Sequence, residues 1–338
     1  MITATVSPLP SAFRNPKGEA RFMAAYQATM ELWPVPYESI DITGHFGRTH
    51  LAVSGPETAP PLILVHGDML SLTMWSPNIA ELSRDHRVYA VDVMGQPSKS
   101  IPDQPMRNRA DCATWFSGVL DALGIPKATF VGMSYGACLS LNYAISTPAR
   151  VEKLILLSPG GSFLKPTPQF YLRFLPSMLF SFLPKSLFDR AFWRYCTGAD
   201  NLSDDAQTRE LDHRMLDQVY LGVRYIRKKW FLQNITQSNP LVLSDEELRE
   251  VSVPTLLLIG EDEVIFDPTR ALERAIRLIP DIEGDLIPQA SHGMTVGQHK
   301  IVNERFSRFI CESARQGIEL AEGSAVLHPG GTVARTPL

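Results

Sequence analysis

The hydrophobic positions of this chain fall into short unbroken runs, separated by stretches of helical period. Pro61–Val65 reads P-L-I-L-V and Val88–Val93 reads V-Y-A-V-D-V. Ala128–Val131, Leu154–Leu157 and Thr255–Ile259 continue the series, and Asp285–Ile287 closes it. Strands that are apolar at every position are buried on both faces, which predicts a mostly parallel sheet covered by helices. Two more strands are predicted ahead of the series, at Tyr37–Ile42 and Thr49–Ser54.

Helical stretches lie between these runs. They are predicted at Ser76–Leu82, Arg109–Leu123, Ser134–Ser146 and Thr269–Leu278, the last with Asp267 as N-cap and Pro268 in its first turn. Near the start, residues 15–33 carry Phe22, Tyr26, Met30 and Trp33 on one face, with Asn15 placed to cap and Pro16 at the first position. This helix is expected to pack on the body of the protein. Strand and helix alternate, so the class is α/β.

One interval breaks the alternation. Between 159 and 252 there is no core strand, but many aromatic residues, several prolines and apparent helices near 186–197, 205–230 and 244–250. A gap of that length is not a loop. The expected organisation is an N-terminal helical segment (1–35), a core made of 36–158 and 253–315, an inserted helical cap (159–252) and a disordered tail (316–338).

Composition changes this picture little. Of 338 residues, 44% are hydrophobic and 20% charged, as in an ordinary globular protein. The net charge of −4 and the absence of a basic stripe argue against a nucleic-acid partner. The Phe- and Leu-rich stretch 163–184 is interrupted by Lys165, Arg173 and several prolines, so no membrane span is expected. The opening residues M-I-T-A-T-V-S-P-L-P have neither the basic start nor the apolar centre of an export signal. A cytoplasmic protein is therefore expected, with Cys112, Cys138, Cys196 and Cys311 as reduced, buried thiols. Their spacing matches no zinc pattern, and neither metal nor cofactor is expected.

The candidate chemistry centres on Gly132-Met133-Ser134-Tyr135-Gly136. This G-x-S-x-G stands directly between a strand and a helix, the setting of a nucleophile elbow. A serine on a tight, strained turn presents its hydroxyl clear of the backbone, and glycines on either side avoid collision with strand and helix. A serine hydroxyl needs a base within hydrogen-bond reach. His292, in A-S-H-G beyond the last strand, has a position that can supply it. His66 ends the first apolar strand and is expected to support its loop. For the acid that orients the histidine, four carboxylates follow the strand T-L-L-L-I. Glu261 is expected to shape the turn and Asp267 to cap a helix, leaving Asp262 and Glu263. Backbone N–H groups of Tyr135 and Asp68 are the candidate donors to a developing oxyanion. The Asp68 carboxylate would oppose that charge, so its side chain is expected to turn away or bond to neighbouring backbone.

Four blocks together, H-G-D-M-L-S-L-T-M-W-S-P-N-I-A-E-L, V-D-V-M-G-Q-P-S-K-S-I-P, G-M-S-Y-G and L-L-L-I-G-E-D-E-V-I-F-D-P, resemble the bacterial carboxylesterases of the naproxen-esterase type. The resemblance runs from about Phe13 to Phe309. It implies an α/β-hydrolase fold, with Ser134, Glu263 and His292 as triad, and a small-molecule carboxylic ester as substrate, cleaved through an acyl-serine. The group usually has a small or apolar residue where Asp68 stands, and the 159–252 interval matches it poorly apart from S-D-E-E-L-R at 244–249. The aromatic interval points to an apolar acyl or alcohol part. The same triad would also serve a thioesterase, a lactonase or a C–C hydrolase, and the same fold a non-catalytic binder of small ligands.

Overall fold

The computed structural model describes residues 11–172, 184–189, 206–227, 230 and 242–310. Their strands are β1 (Glu38–Gly44), β2 (Gly47–Ser54), β3 (Pro61–Val65), β4 (Arg87–Val91), β5 (Ile101–Pro102), β6 (Ala128–Met133), β7 (Val151–Leu157), β8 (Thr255–Gly260) and β9 (Ile282–Ile287). They form one sheet in the order β1-β2-β4-β3-β6-β7-β8-β9, with β5 paired to β2. The hairpin β1–β2 and the β2–β4 and β2–β5 pairs are antiparallel; every pair from β4 through β9 is parallel.

The unbroken apolar strands are explained by two separate cores. Ile63 and Val65 face one and Leu62 and Leu64 the other; Leu257 and Ile259 against Leu256 and Leu258 repeat the pattern. Successive side chains of a strand point to opposite faces, so covering both faces requires an apolar residue at every position. The first core is covered by α3 (Arg109–Ala122), α4 (Tyr135–Ser146) and α7 (Pro268–Leu278). The second is covered by α1 (Pro16–Met30), α2 (Ser76–Asp85) and the helical residues 299–310.

Local chemistry sets several element ends. The Asn15 side chain accepts from Gly18 N–H at 2.8 Å, with Pro16 next in line, and the Asp267 carboxylate accepts from Arg270 N–H at 3.0 Å. Between β7 and β8 the described residues include α5 (Ala206–Tyr225) and α6 (Asp245–Arg249), whose Ser244 and Glu247 form a reciprocal capping box. The expected helix near 186–197 is described only over 185–189, and the expected tail, Cys196 and Cys311 lie outside the described residues.

The structure differs from expectation at two strands and adds to it at α1. β9 begins at Ile282 rather than Asp285, because Glu283 and Gly284 pair with Leu256 and Leu257 although neither is apolar. β5 was not expected: a two-residue strand ending in proline leaves no periodic signal, and proline tolerates such an edge position because it has no N–H to pair. Helix α1 packs against α5 as well as the body. Arg14 N–H donates to Tyr225 O and Arg227 N–H to Ala12 O, and the Arg14 and Arg227 side chains donate to Ile226 O and Phe13 O.

Candidate active site

Because β3, β6, β7, β8 and β9 are parallel, their carboxyl ends share one rim, where open α/β sheets bind ligands. Four chain segments meet there: the loop after β3, the turn after β6, the turn after β8 and the loop after β9.

The turn after β6 carries Ser134. Its φ of 52° and ψ of −113° lie outside the regions ordinary residues prefer. The strand and the helix hold it there: Ser134 N–H donates to Leu157 O at 2.8 Å, and Ser134 O accepts from Cys138 N–H at 3.1 Å. The two flanking glycines are required by space. A Cβ at Gly132 would meet Gly136 O at 2.5 Å, and one at Gly136 would collide with the carbonyl oxygens of Val65 and His66. Hence the crowded turn stays intact and the serine side chain remains half-exposed.

His292 reaches this serine from the loop after β9. Ser134 Oγ lies 2.8 Å from His292 Nε2, and His292 Nδ1 lies 2.8 Å from Glu263 Oε2. With Nδ1–H donating to the carboxylate, Nε2 is left as the acceptor for the serine hydroxyl. The second carboxylate oxygen, Oε1, accepts from the N–H groups of Val264 and Ile265, both at 2.9 Å. Burial works to raise the Glu263 carboxyl. It is outweighed by the His292 ring and these hydrogen bonds, and the group sits below its ordinary value of 4.5. Asp262 is exposed, as is Glu261, whose Oε2 accepts from Gln289 N–H at 3.4 Å. The structure thus brings Ser134, His292 and Glu263 together and leaves Asp262 outside.

Tyr135 is the first residue of α4, where backbone N–H groups point toward the helix N-terminus. Asp68 lies on the loop after β3. Its Oδ1 accepts from Gln96 Nε2 at 2.7 Å, a side chain from the loop after β4, and the carboxylate also accepts from the neighbouring Met69 backbone, as expected. Gln96 Oε1 in turn accepts from Met69 N–H at 2.9 Å. Burial pushes the Asp68 carboxyl up, against the hydrogen bonds from Gln96 and Met69. His66 supports this loop as expected: Nδ1 lies 2.8 Å from Gly67 O, and Val93 N–H donates to Nε2 at 2.8 Å.

Two residues of this rim were not singled out from the sequence. Asp92 is fully buried and accepts from Leu72 N–H and Lys99 N–H, both at 2.9 Å, and from the Tyr26 hydroxyl at 3.1 Å. A charged residue inside the run V-Y-A-V-D-V was a signal that could have found it, since buried charge requires partners. Gln96 had no such signal: a polar residue after a glycine reads as an ordinary turn.

A serine on a strained strand–helix turn, joined through an imidazole to a buried carboxylate at the rim of a parallel sheet, defines a hydrolase-type centre. Residues 60–295 match the alpha/beta hydrolase fold family, and the chain belongs to that family. Within it, the chain is similar to carboxylesterases of Bacillus subtilis (strain 168). It is 38% identical to the uncharacterized carboxylesterase nap, over 88% of this chain and 94% of that protein. It is 34% identical to carboxylesterase YbfK, over 86% of this chain and 94% of that protein. The crystal structure of naproxen esterase (carboxylesterase NP) from Bacillus subtilis superposes with a TM-score of 0.76 at 36% identity, covering 88% of this chain and 99% of that one. The protein is thus an α/β-hydrolase of the bacterial carboxylesterase type, and its chemistry is ester hydrolysis.

Proposed function

We propose that Ser134 is the nucleophile, His292 the general base and acid, and Glu263 the residue that orients the imidazole and stabilises its charged form. The observation that carries this reading is the His292 ring, with one nitrogen 2.8 Å from Ser134 Oγ and the other 2.8 Å from Glu263 Oε2. In the first half-reaction Ser134 Oγ bonds to the ester carbonyl carbon while its proton passes to His292 Nε2. The tetrahedral oxyanion is held by Tyr135 and Asp68 N–H groups. Collapse breaks the bond to the alcohol oxygen, which takes the proton from Nε2 and leaves an acyl-serine. Water then repeats the sequence and releases the acid.

The substrate is read as a small ester with an apolar part. Gly160, half-exposed, stands beside the nucleophile: a Cβ there would lie 3.5 Å from Ser134 Oγ and 3.8 Å from Ile265 Cδ1. The wall next to the reacting carbon is thus small and aliphatic. Residues 159–252 are read as the cap over this site. The protein is read as cytoplasmic. Cys112 and Cys138, free and buried thiols, are the observation in keeping with that reading. Among the described residues, no helix is long and apolar enough to cross a membrane.

The test is hydrolysis of a short-chain chromogenic ester by the wild-type protein beside Ser134→Ala. A loss of about 10³-fold or more is expected on removing the hydroxyl. Equal rates would overturn the assignment.

A further inference from the structure

The two donors of the oxyanion pocket are held in unequal ways. Tyr135 begins a helix of twelve residues packed into the core, so its N–H direction follows from the helix. Asp68 stands on a loop, and Met69 after it has a φ of 61°, a left-handed conformation that a side-chain-bearing residue adopts only when its surroundings impose it. The direction of Asp68 N–H therefore depends on whatever holds residues 68 and 69.

We propose that Gln96 is the positioning residue of the oxyanion pocket: its amide clamps the Asp68 carboxylate and the Met69 N–H together and so aims the Asp68 N–H. This inference rests on the triad reading above. The amide uses both ends, Nε2 donating to Asp68 Oδ1 at 2.7 Å and Oε1 accepting from Met69 N–H at 2.9 Å. The orientation of the amide is set by its partners, since Met69 N–H is only a donor and must face the oxygen. Gln96 is 2% exposed, so water does not compete for either bond.

Gln96 is itself held within the loop after β4. Its N–H donates to Val93 O at 3.2 Å, and its carbonyl accepts from the Ser98 hydroxyl at 3.3 Å. Val91, at the end of β4, is paired with Val65 at the end of β3. The clamp thus ties the donor loop to the loop that follows the neighbouring strand, and a donor aimed in advance costs no reorganisation when charge develops. It also turns the Asp68 carboxylate toward Gln96, relieving the conflict between a carboxylate and an oxyanion on the same loop. The choice of side chain is restricted. The clamp needs one donor and one acceptor on a three-atom stem: glutamate lacks the donor, lysine lacks the acceptor, and methionine has the length but neither group.

The experiment compares Gln96→Met, Gln96→Glu and the double variant Asp68→Asn with Gln96→Glu, alongside wild type and Ser134→Ala. Each is assayed for kcat and KM on a chromogenic ester, and for inhibition by an alkyl trifluoromethyl ketone. That inhibitor takes the Ser134 oxygen onto its carbonyl carbon, passes the serine proton to His292, and leaves an oxyanion in the pocket. Gln96→Met is expected to lower kcat about 10- to 100-fold with KM changed by less than about threefold, and to weaken the ketone by a similar factor. Gln96→Glu sets two carboxylates against each other and is expected to lose as much. Adding Asp68→Asn restores a donor–acceptor pair of reversed order, and most of the lost kcat is expected to return. Should Gln96→Met fail to fold, the Glu and Asn–Glu pair decides alone. Unchanged kcat in both single variants, a loss carried by KM, or no recovery in the double variant would overturn the proposal. An active wild type with a dead Ser134→Ala beside unaffected Gln96 variants overturns the clamp alone; a wild type as inactive as Ser134→Ala overturns the clamp and the triad together.

Discussion

Asp262 and Glu263 are neighbours in sequence with opposite surroundings. Asp262 is exposed, whereas Glu263 is buried and accepts three contacts over its two oxygens, from His292, Val264 and Ile265. Glu263→Gln would replace a carboxylate with a group that cannot accept on both sides, and kcat is expected to fall about 10³–10⁴-fold. Asp262→Asn should change kcat by less than about twofold, since it alters only solvated surface. The opposite ranking in a kinetic comparison would move the acid to 262. A pH effect follows from the same contacts. The Glu263 carboxyl is held below 4.5, so the folded state favours its charged form. A carboxyl depressed on folding stabilises the protein above its unfolded value, and that contribution is lost as pH falls through the lower folded value. The stability advantage of wild type over Glu263→Gln in denaturant titrations is therefore expected to hold constant down to about pH 4.5 and shrink below it. At this scale the sequence located the serine and the histidine by their places after strands. It could not separate 262 from 263 by pattern, because burial depends on how the turn after β8 is folded. Gln96 was invisible for a related reason: its role exists only once two loops from neighbouring strands meet.

Among the elements, α1, the loop before α2 and α5 are joined by one buried side chain. Gln218 of α5 donates to Thr29 Oγ1 at 2.6 Å and to Thr73 Oγ1 at 3.0 Å, and accepts from the Ser71 hydroxyl at 2.8 Å. Gln218→Ala would leave those three hydroxyls short of partners inside a closed space, which typically costs about 1–3 kcal/mol. A loss of unfolding free energy of that size is expected from urea titrations, and an unchanged value would show that water replaces the amide. The helices and strands themselves were legible wherever burial gave a period. Phe22, Tyr26 and Met30 marked the buried face of α1, and the runs in β3, β6 and β8 marked strands with a core on each side. What the period did not carry was partner choice. Nothing in residues 15–33 distinguishes packing on the sheet from packing on α5, since an apolar face fits either. The early residues of β9 were missed because they belong to the sheet by backbone pairing rather than by side-chain burial.

For the whole molecule, the parallel order of β3, β6, β7, β8 and β9 does what no single residue can. It delivers Ser134, His292, Glu263 and the loop of Asp68, separated by up to 224 positions between Asp68 and His292, to one rim. Unbroken apolar runs separated by helical stretches were enough to predict that sheet and hence the rim. The region between β7 and β8 was far less legible, because α5, its long described helix, packs on α1 outside the alternation of strand and helix. The central claim is that the ester's acyl group passes through Ser134. Rapid quenching of the protein during turnover of a chromogenic ester, followed by peptide mass spectrometry, tests this most directly. An added acyl mass on the peptide holding Gly132–Gly136, localised to Ser134 and absent from Ser134→Ala, is the predicted result. An acyl mass on another residue, or turnover by Ser134→Ala at the wild-type rate, would contradict it.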